Sequence, residues 1–252
     1  MAWVLITGAT SGIGKSCAAI FAKNGYDLLL TGRRSERLAT IQAELTSLFS
    51  VKVNTYNFDV RNRKEVAAFG EKLTVENITP TVLINNAGLA SGRNKIQDGD
   101  IEDWEKMIDT NIKGLLYITR IILPMMIAKN EGHIINIGST AGHTVYPEGN
   151  VYNATKFAVK ALNEAINLDV LGTAIRCCSI DPGACETEFS VVRFHGDEDK
   201  AKKVYEGFQP LSPNDIADAA FYVVNAPKHV NIVNMVIHPT AQRSVYLIDR
   251  KV

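Results

Sequence analysis

Short apolar runs alternate with stretches of helical periodicity along the whole chain. AWVLI (2–6), DLLLTG (27–32), VKVNTYNF (51–58), TVLIN (81–85), GHIINIGS (132–139), AIRCCSI (174–180) and NIVNMVIH (231–238) have the length and apolar character of buried strands. Between them, residues 12–25, 35–49, 63–74, 103–129 and 151–171 read as helices, the 103–129 stretch as one or two. Gly25 supplies a C-terminal stop to the first. Strands that are apolar on both faces belong to a parallel sheet covered by helices on two sides. Right-handed crossovers then predict an α/β, Rossmann-type, doubly wound sheet of seven parallel strands, in one domain over residues 1–252. The least regular region, Ala184 to Pro210, has polar HGDEDK (195–200) at its centre and is expected to form a lid.

Composition narrows the function class. With 27 basic and 27 acidic residues the formal net charge is zero, which argues against a general nucleic-acid or membrane-surface role. Cys17, Cys177, Cys178 and Cys185 contain no C-x-x-C pair and read as reduced core thiols of a cytoplasmic protein, not as metal ligands. The apolar start of the chain is too short for a signal segment. Leu115 to Met126 is apolar but holds Thr119, Arg120 and Pro124, so it is expected to cover the sheet or lie at a subunit interface.

Candidate chemistry sits at the predicted strand ends. TGATSGIG (7–14) follows a strand and opens a helix, the context of a dinucleotide-binding turn. Gly8, Gly12 and Gly14 let the backbone approach a pyrophosphate, Thr10, Ser11 and Ile13 line the same turn, and the helix N-terminus favours negative charge. After the second strand, Arg33 and Arg34 stand where an NAD site would carry an acid. Two guanidiniums suit a 2′-phosphate, which predicts NADP. Asp59 and the Val60 amide are candidates for the adenine. Asn86, Ala87 and Gly88 end the fourth strand, and Pro182, Gly183 and Thr187 follow the sixth; all are expected to contact the cofactor.

Tyr152 and Lys156 are four residues apart on one predicted helix, so they share a face. The ammonium is expected to favour the phenolate and pull the Tyr152 pKa below its usual value of about 10, letting it exchange a proton with an alcohol. Ser139, at the end of the fifth strand, is expected to hold the substrate oxygen. Asn111 would support a water linking Lys156 to solvent, or would bond backbone.

TGATSGIG, NNAG, Asn111, Ser139, YNATK (152–156) and Pro182-Gly183 with Thr187 together resemble the short-chain dehydrogenase/reductase family from Met1 to about residue 240. TGRRSERL, NNAGLASG, DWEKMIDTN, GHIINIGSTAG and TEFSVVRFHGD look narrower still, like the NADP-dependent 3-hydroxy acid dehydrogenase subgroup. That resemblance implies hydride transfer between NADP and the β-carbon of a small 3-hydroxy acid such as serine, allo-threonine or 3-hydroxypropionate. It implies Asn111, Ser139, Tyr152 and Lys156 as catalytic residues, and a homotetramer. A reductase of another carbonyl (ketone, steroid or carrier-linked) and a non-catalytic NADP-binding regulator are the alternatives. An acid substrate needs a cation: Arg193 in the expected lid is the first candidate and Arg93 the second. Gln242 would reach the site only if the C-terminal tail folds back.

Overall fold

The structure, a computed structural model, describes residues 2–251. Its strands are β1 (Trp3–Ile6), β2 (Asp27–Gly32), β3 (Val53–Asn57), β4 (Val82–Asn85), β5 (Gly132–Ile137), β6 (Ile175–Pro182) and β7 (Asn234–Ile237). They form one parallel sheet in the order β3-β2-β1-β4-β5-β6-β7. The order reverses between β1 and β4, which opens a crevice at the carboxyl ends of the strands.

Successive residues of a strand point to opposite faces, and the chain fills both. Val4, Ile6, Leu28, Leu30, Ile135 and Cys178 pack on one side with Phe21 of helix α1 (Gly12–Lys23). Leu5, Leu29, Leu83, Ile134 and Cys177 pack on the other with Ile118, Ile122 and Met126 of helix α5 (Leu115–Lys129). The apolar Leu115–Met126 run therefore lays one face on the sheet, while Leu116 and Ile127 of the same helix are exposed.

Helices α2 (Ser35–Leu48) and α3 (Arg63–Val75) match the periodicity. The 103–129 stretch divides into α4 (Ile101–Ile108), a π-helical turn Asp109–Gly114 and α5. Helix α6 (Asn150–Asp169) carries Tyr152 and Lys156. Two short helices, α7 (Phe189–Arg193) and α8 (Glu198–Lys203), lie within the segment read as irregular. A further helix, α9 (Pro213–Val224), was absent from the periodicity reading. Its start is nonetheless marked: Ser212 and Asp215 form a reciprocal capping box with Pro213 in the first turn.

One buried group makes the fold acid-sensitive. His133 on β5 is 3% exposed, and its pKa is pushed down to about 3 by burial and by Arg176, its register partner on β6. An unfolded histidine titrates near its ordinary value of about 6.5. Between those values the unfolded chain binds a proton that the folded chain refuses, so stability falls as pH falls through the window. The loss amounts to up to about 4 kcal/mol by pH 3. His133→Leu is expected to flatten the dependence of denaturant midpoint on pH between 7 and 4; an unchanged slope would assign acid unfolding to other groups.

Candidate active site

A cleft of about 940 Å³ opens over the carboxyl ends of β1, β4, β5 and β6. Gly8 has a left-handed backbone (φ +65°), and a Cβ there would sit 3.0 Å from the Ala87 Cα, so only glycine lets the two loops meet. Asn86 fastens the meeting point: its side-chain amide donates to the Thr7 and Gly8 carbonyls at 2.9 and 3.1 Å. Gly14 does not line the cleft. It lies beneath the turn, where a Cβ would come 2.5 Å from the Gly8 carbonyl oxygen, so close packing requires glycine there. Gly8, Thr10, Ser11, Gly12, Ile13, Arg33, Arg34, Asp59, Val60, Asn86, Ala87, Gly88, Pro182, Gly183 and Thr187 all line the cleft.

The two arginines differ. Arg34 is committed: its guanidinium donates to Thr10 Oγ1 at 2.8 and 3.0 Å, to Ser11 Oγ at 2.8 Å and to Glu188 Oε2 at 2.8 Å. Arg33 is 60% exposed and makes one long contact, 3.8 Å, to Asp59. Asp59 lines the cleft and is already paired. Arg61 grips its carboxylate through Nε and Nη2 at 2.7 to 3.1 Å, leaving its oxygens engaged before any adenine arrives. Partial burial alone would raise this carboxyl, but Arg61 and Arg33 hold it below the usual range.

Ser139, Tyr152 and Lys156 converge on the same cleft. Tyr152 is 7% exposed, its ring flanked by Phe189 at 5.5 Å. Lys156 Nζ lies 5.9 Å from the centre of that ring and donates to the Ile137 carbonyl at 2.9 Å. The expected lowering of the Tyr152 pKa is not found in this cleft. Burial, reinforced by Tyr146, pushes the phenol up, against the Ser139 hydroxyl and Arg193, which work to lower it. Desolvation also pushes Lys156 down to about 8, with the Asp181 carboxylate opposing. Burial thus sets the direction of both shifts, and what opposes it at Tyr152 is Ser139 and Arg193, not the i, i+4 lysine.

Asn111 does not face the cleft. It sits in the π-helical turn, 2% exposed, bonding both ways to the Leu89 backbone (2.8 and 2.9 Å) and donating to Thr155 Oγ1 at 3.0 Å. Its side chain therefore fixes the Leu89 loop to α6, the backbone-bonding alternative.

The arginine candidates and the C-terminal tail surround the cleft mouth, together with Tyr146 and Tyr246, which the sequence did not single out. Arg193 lies 5.5 Å over the Tyr152 ring and 5.4 Å over the Tyr146 ring, and donates to Tyr146 Oη at 2.7 Å. Its Nε is buried without a partner among the described residues. Arg93 also lines the cleft but is paired with Glu148 at 3.2 Å. The C-terminal tail folds back over the mouth. Gln242 is 4% exposed and accepts from the Ala184 amide at 2.8 Å, and Tyr246 bonds the Val145 carbonyl. Pro147 beside Tyr146, in a segment joining two candidate catalytic residues, was the available signal for Tyr146; nothing local marked Tyr246.

The short chain dehydrogenase family matches residues 2–197. The chain belongs to this family. It is 47% identical over 240 residues to the NADP-dependent 3-hydroxy acid dehydrogenase of Salmonella typhi, covering 95% of each chain. It is 42% identical over 249 residues to sulfoacetaldehyde reductase 2 of Chromohalobacter salexigens, covering 98% of each. Among solved structures, the closed form of serine dehydrogenase complexed with NADP⁺ superposes with a TM-score of 0.93 at 43% identity, covering 99% of this chain and 100% of that one.

Proposed function

We propose that this chain is an NADP-dependent dehydrogenase acting at the β-carbon hydroxyl, or the corresponding carbonyl, of a small 3-hydroxy acid. The observation that carries the acid is Arg193: a cation stacked on the Tyr152 ring, with a buried Nε that has no partner among the described residues. Arg193 lines the cleft, and a charged donor left unmet is costly unless a ligand or a movement of the side chain satisfies it. A carboxylate or a sulfonate is the group that a guanidinium satisfies with paired bonds.

The residues fit the cofactor. The glycine turn leaves room beside Ala87, and Arg33, the least engaged guanidinium at the end of β2, is available to a 2′-phosphate. When bound, NADP supplies the hydride acceptor and donor of the reaction. Tyr152 Oη takes the proton of the substrate hydroxyl during oxidation and returns it during reduction. The Ser139 hydroxyl, which lines the same cleft and lowers the phenol's pKa against burial, holds the substrate oxygen in line. Lys156, with its titration near pH 8, keeps positive charge beside the phenol at neutral pH. Asn111 acts by fixing the loop between β4 and α4. Segment 184–210 is the lid, and exposed Leu116, Ile127, Phe157 and Leu168 on α5 and α6 support burial against further subunits of a cytoplasmic homotetramer.

The test is the initial rate of cofactor reduction with serine, allo-threonine and 3-hydroxypropionate, using NADP⁺ and NAD⁺ in parallel. Turnover with a strong preference for NADP⁺ is expected. Arg33→Ala should reduce that preference by about tenfold or more, the worth of one charged hydrogen-bonding contact. Equal use of both cofactors by the unaltered enzyme would remove the 2′-phosphate reading.

A further inference from the structure

Helix α7 carries a charged residue at each end. Glu188 stands just before its first residue, without capping it through the side chain, and Arg193 closes its last turn. Both oxygens of the Glu188 carboxylate are used: Oε2 accepts from Arg34 at 2.8 Å and Oε1 from Arg37 at 2.6 Å. The same Arg34 guanidinium holds Thr10 and Ser11 of the glycine turn. Next to this bridge the two walls of the cleft nearly touch, since a Cβ on Gly12 would meet Thr187 at 3.2 Å. Glu188, Arg34, Thr10 and Ser11 thus form a closed chain of contacts across the cofactor end of the cleft. At the other end of α7, the Arg193 carbonyl accepts from the Gly92 amide at 2.9 Å, and His195 contacts buried Asp103 at 3.1 Å.

Building on the NADP reading above, we propose that Glu188 is a positioning residue. It clasps α7 to the glycine turn at the cofactor end of the cleft, and so sets Arg193 for the acid group of the substrate. Arg34 serves this clasp, while Arg33 is left for the 2′-phosphate. One helix of five residues joins the two tasks, so a cofactor bound at the glycine turn and a substrate acid held by Arg193 would bind with mutual support. The charge state agrees: partial burial would raise the Glu188 carboxyl, yet Arg34 and Arg37 hold it below the usual range, so it stays anionic at neutral pH. Single exposed ion pairs contribute little, but here two guanidiniums share one carboxylate that uses both oxygens.

The test compares the enzyme with its Glu188→Gln and Arg37→Gln variants. Arg37→Gln removes half of the clasp without touching the glycine turn. Dissociation constants for NADPH and NADH are read from nucleotide fluorescence, and KM for the acid and for a neutral alcohol at saturating NADP⁺. Glu188→Gln should weaken both nucleotides by about three- to tenfold, the scale of a shared surface carboxylate, with Arg37→Gln showing a smaller loss. KM for the acid should rise by a similar factor relative to KM for the neutral alcohol, and Glu188→Asp should recover part of both. Unchanged constants in folded variants would overturn the clasp. So would tighter binding of NADPH alone, because Glu188 would then merely compete with the 2′-phosphate. Failure of the unaltered enzyme to bind NADPH would instead remove the cofactor reading on which the clasp rests.

Discussion

Tyr152→Phe is expected to lower kcat for oxidation of the hydroxy acid by about 10²- to 10⁴-fold, the span that a positioned general acid–base group contributes. The change deletes one oxygen from a ring that stays packed against Phe189 and beneath Arg193, so fold and cofactor affinity should persist. The pH profile separates this role from a packing role. Burial raises the Tyr152 phenol in the cleft, so at neutral pH it is protonated, the state that reduction of a carbonyl needs. Oxidation needs the phenolate, and its rate should rise with pH, while that of reduction, which uses the protonated phenol, should stay level across the neutral range. The variant should lose the alkaline rise as well as the rate. A Phe variant that keeps more than about a tenth of the activity, with the profile intact, would assign the proton to another group.

Arg193→Ala carries the second large effect. KM for the acid substrate should rise by about 10- to 100-fold, corresponding to roughly 1.5–3 kcal/mol for a charged hydrogen-bonding partner. KM for a neutral alcohol of the same size should change far less, because the lost contact is to the acid group alone. Arg193→Lys should recover little, since an ammonium cannot reproduce paired guanidinium bonds or stack on Tyr146 and Tyr152. Equal losses on acid and neutral substrates would reduce Arg193 to a packing role at the cleft mouth.

Much of this arrangement was legible in the sequence, for identifiable reasons. Continuous apolar strands alternating with periodic helices dictate a parallel sheet, and the sheet puts Gly8, Asn86, Ser139 and Pro182 at the same edge because each follows a strand end. The i, i+4 spacing of Tyr152 and Lys156 likewise holds on α6. What sequence reasoning missed depends on burial and on distant contacts. The sign of the Tyr152 shift follows from how deeply the ring is buried, which spacing does not report. Asp59 is engaged by Arg61 two residues away, and Arg34 by Glu188 more than a hundred residues away. Tyr246 reaches the cleft only through the fold-back that joins it to Val145, the same fold-back on which the expectation for Gln242 depended. Helix α9 was overlooked even though its capping box is local, because its apolar positions are interrupted by small alanines.

The decisive measurement is the ratio of kcat/KM for 3-hydroxypropionate to that for 3-hydroxypropionamide with NADP⁺, taken for the unaltered enzyme and for Arg193→Ala. The two substrates share the reacting hydroxyl and differ in the charge that Arg193 would meet. A ratio well above one that collapses towards one in Arg193→Ala is the expected result. A ratio near one in the unaltered enzyme, or one that survives the loss of Arg193, would contradict the assignment of this cleft to a small 3-hydroxy acid.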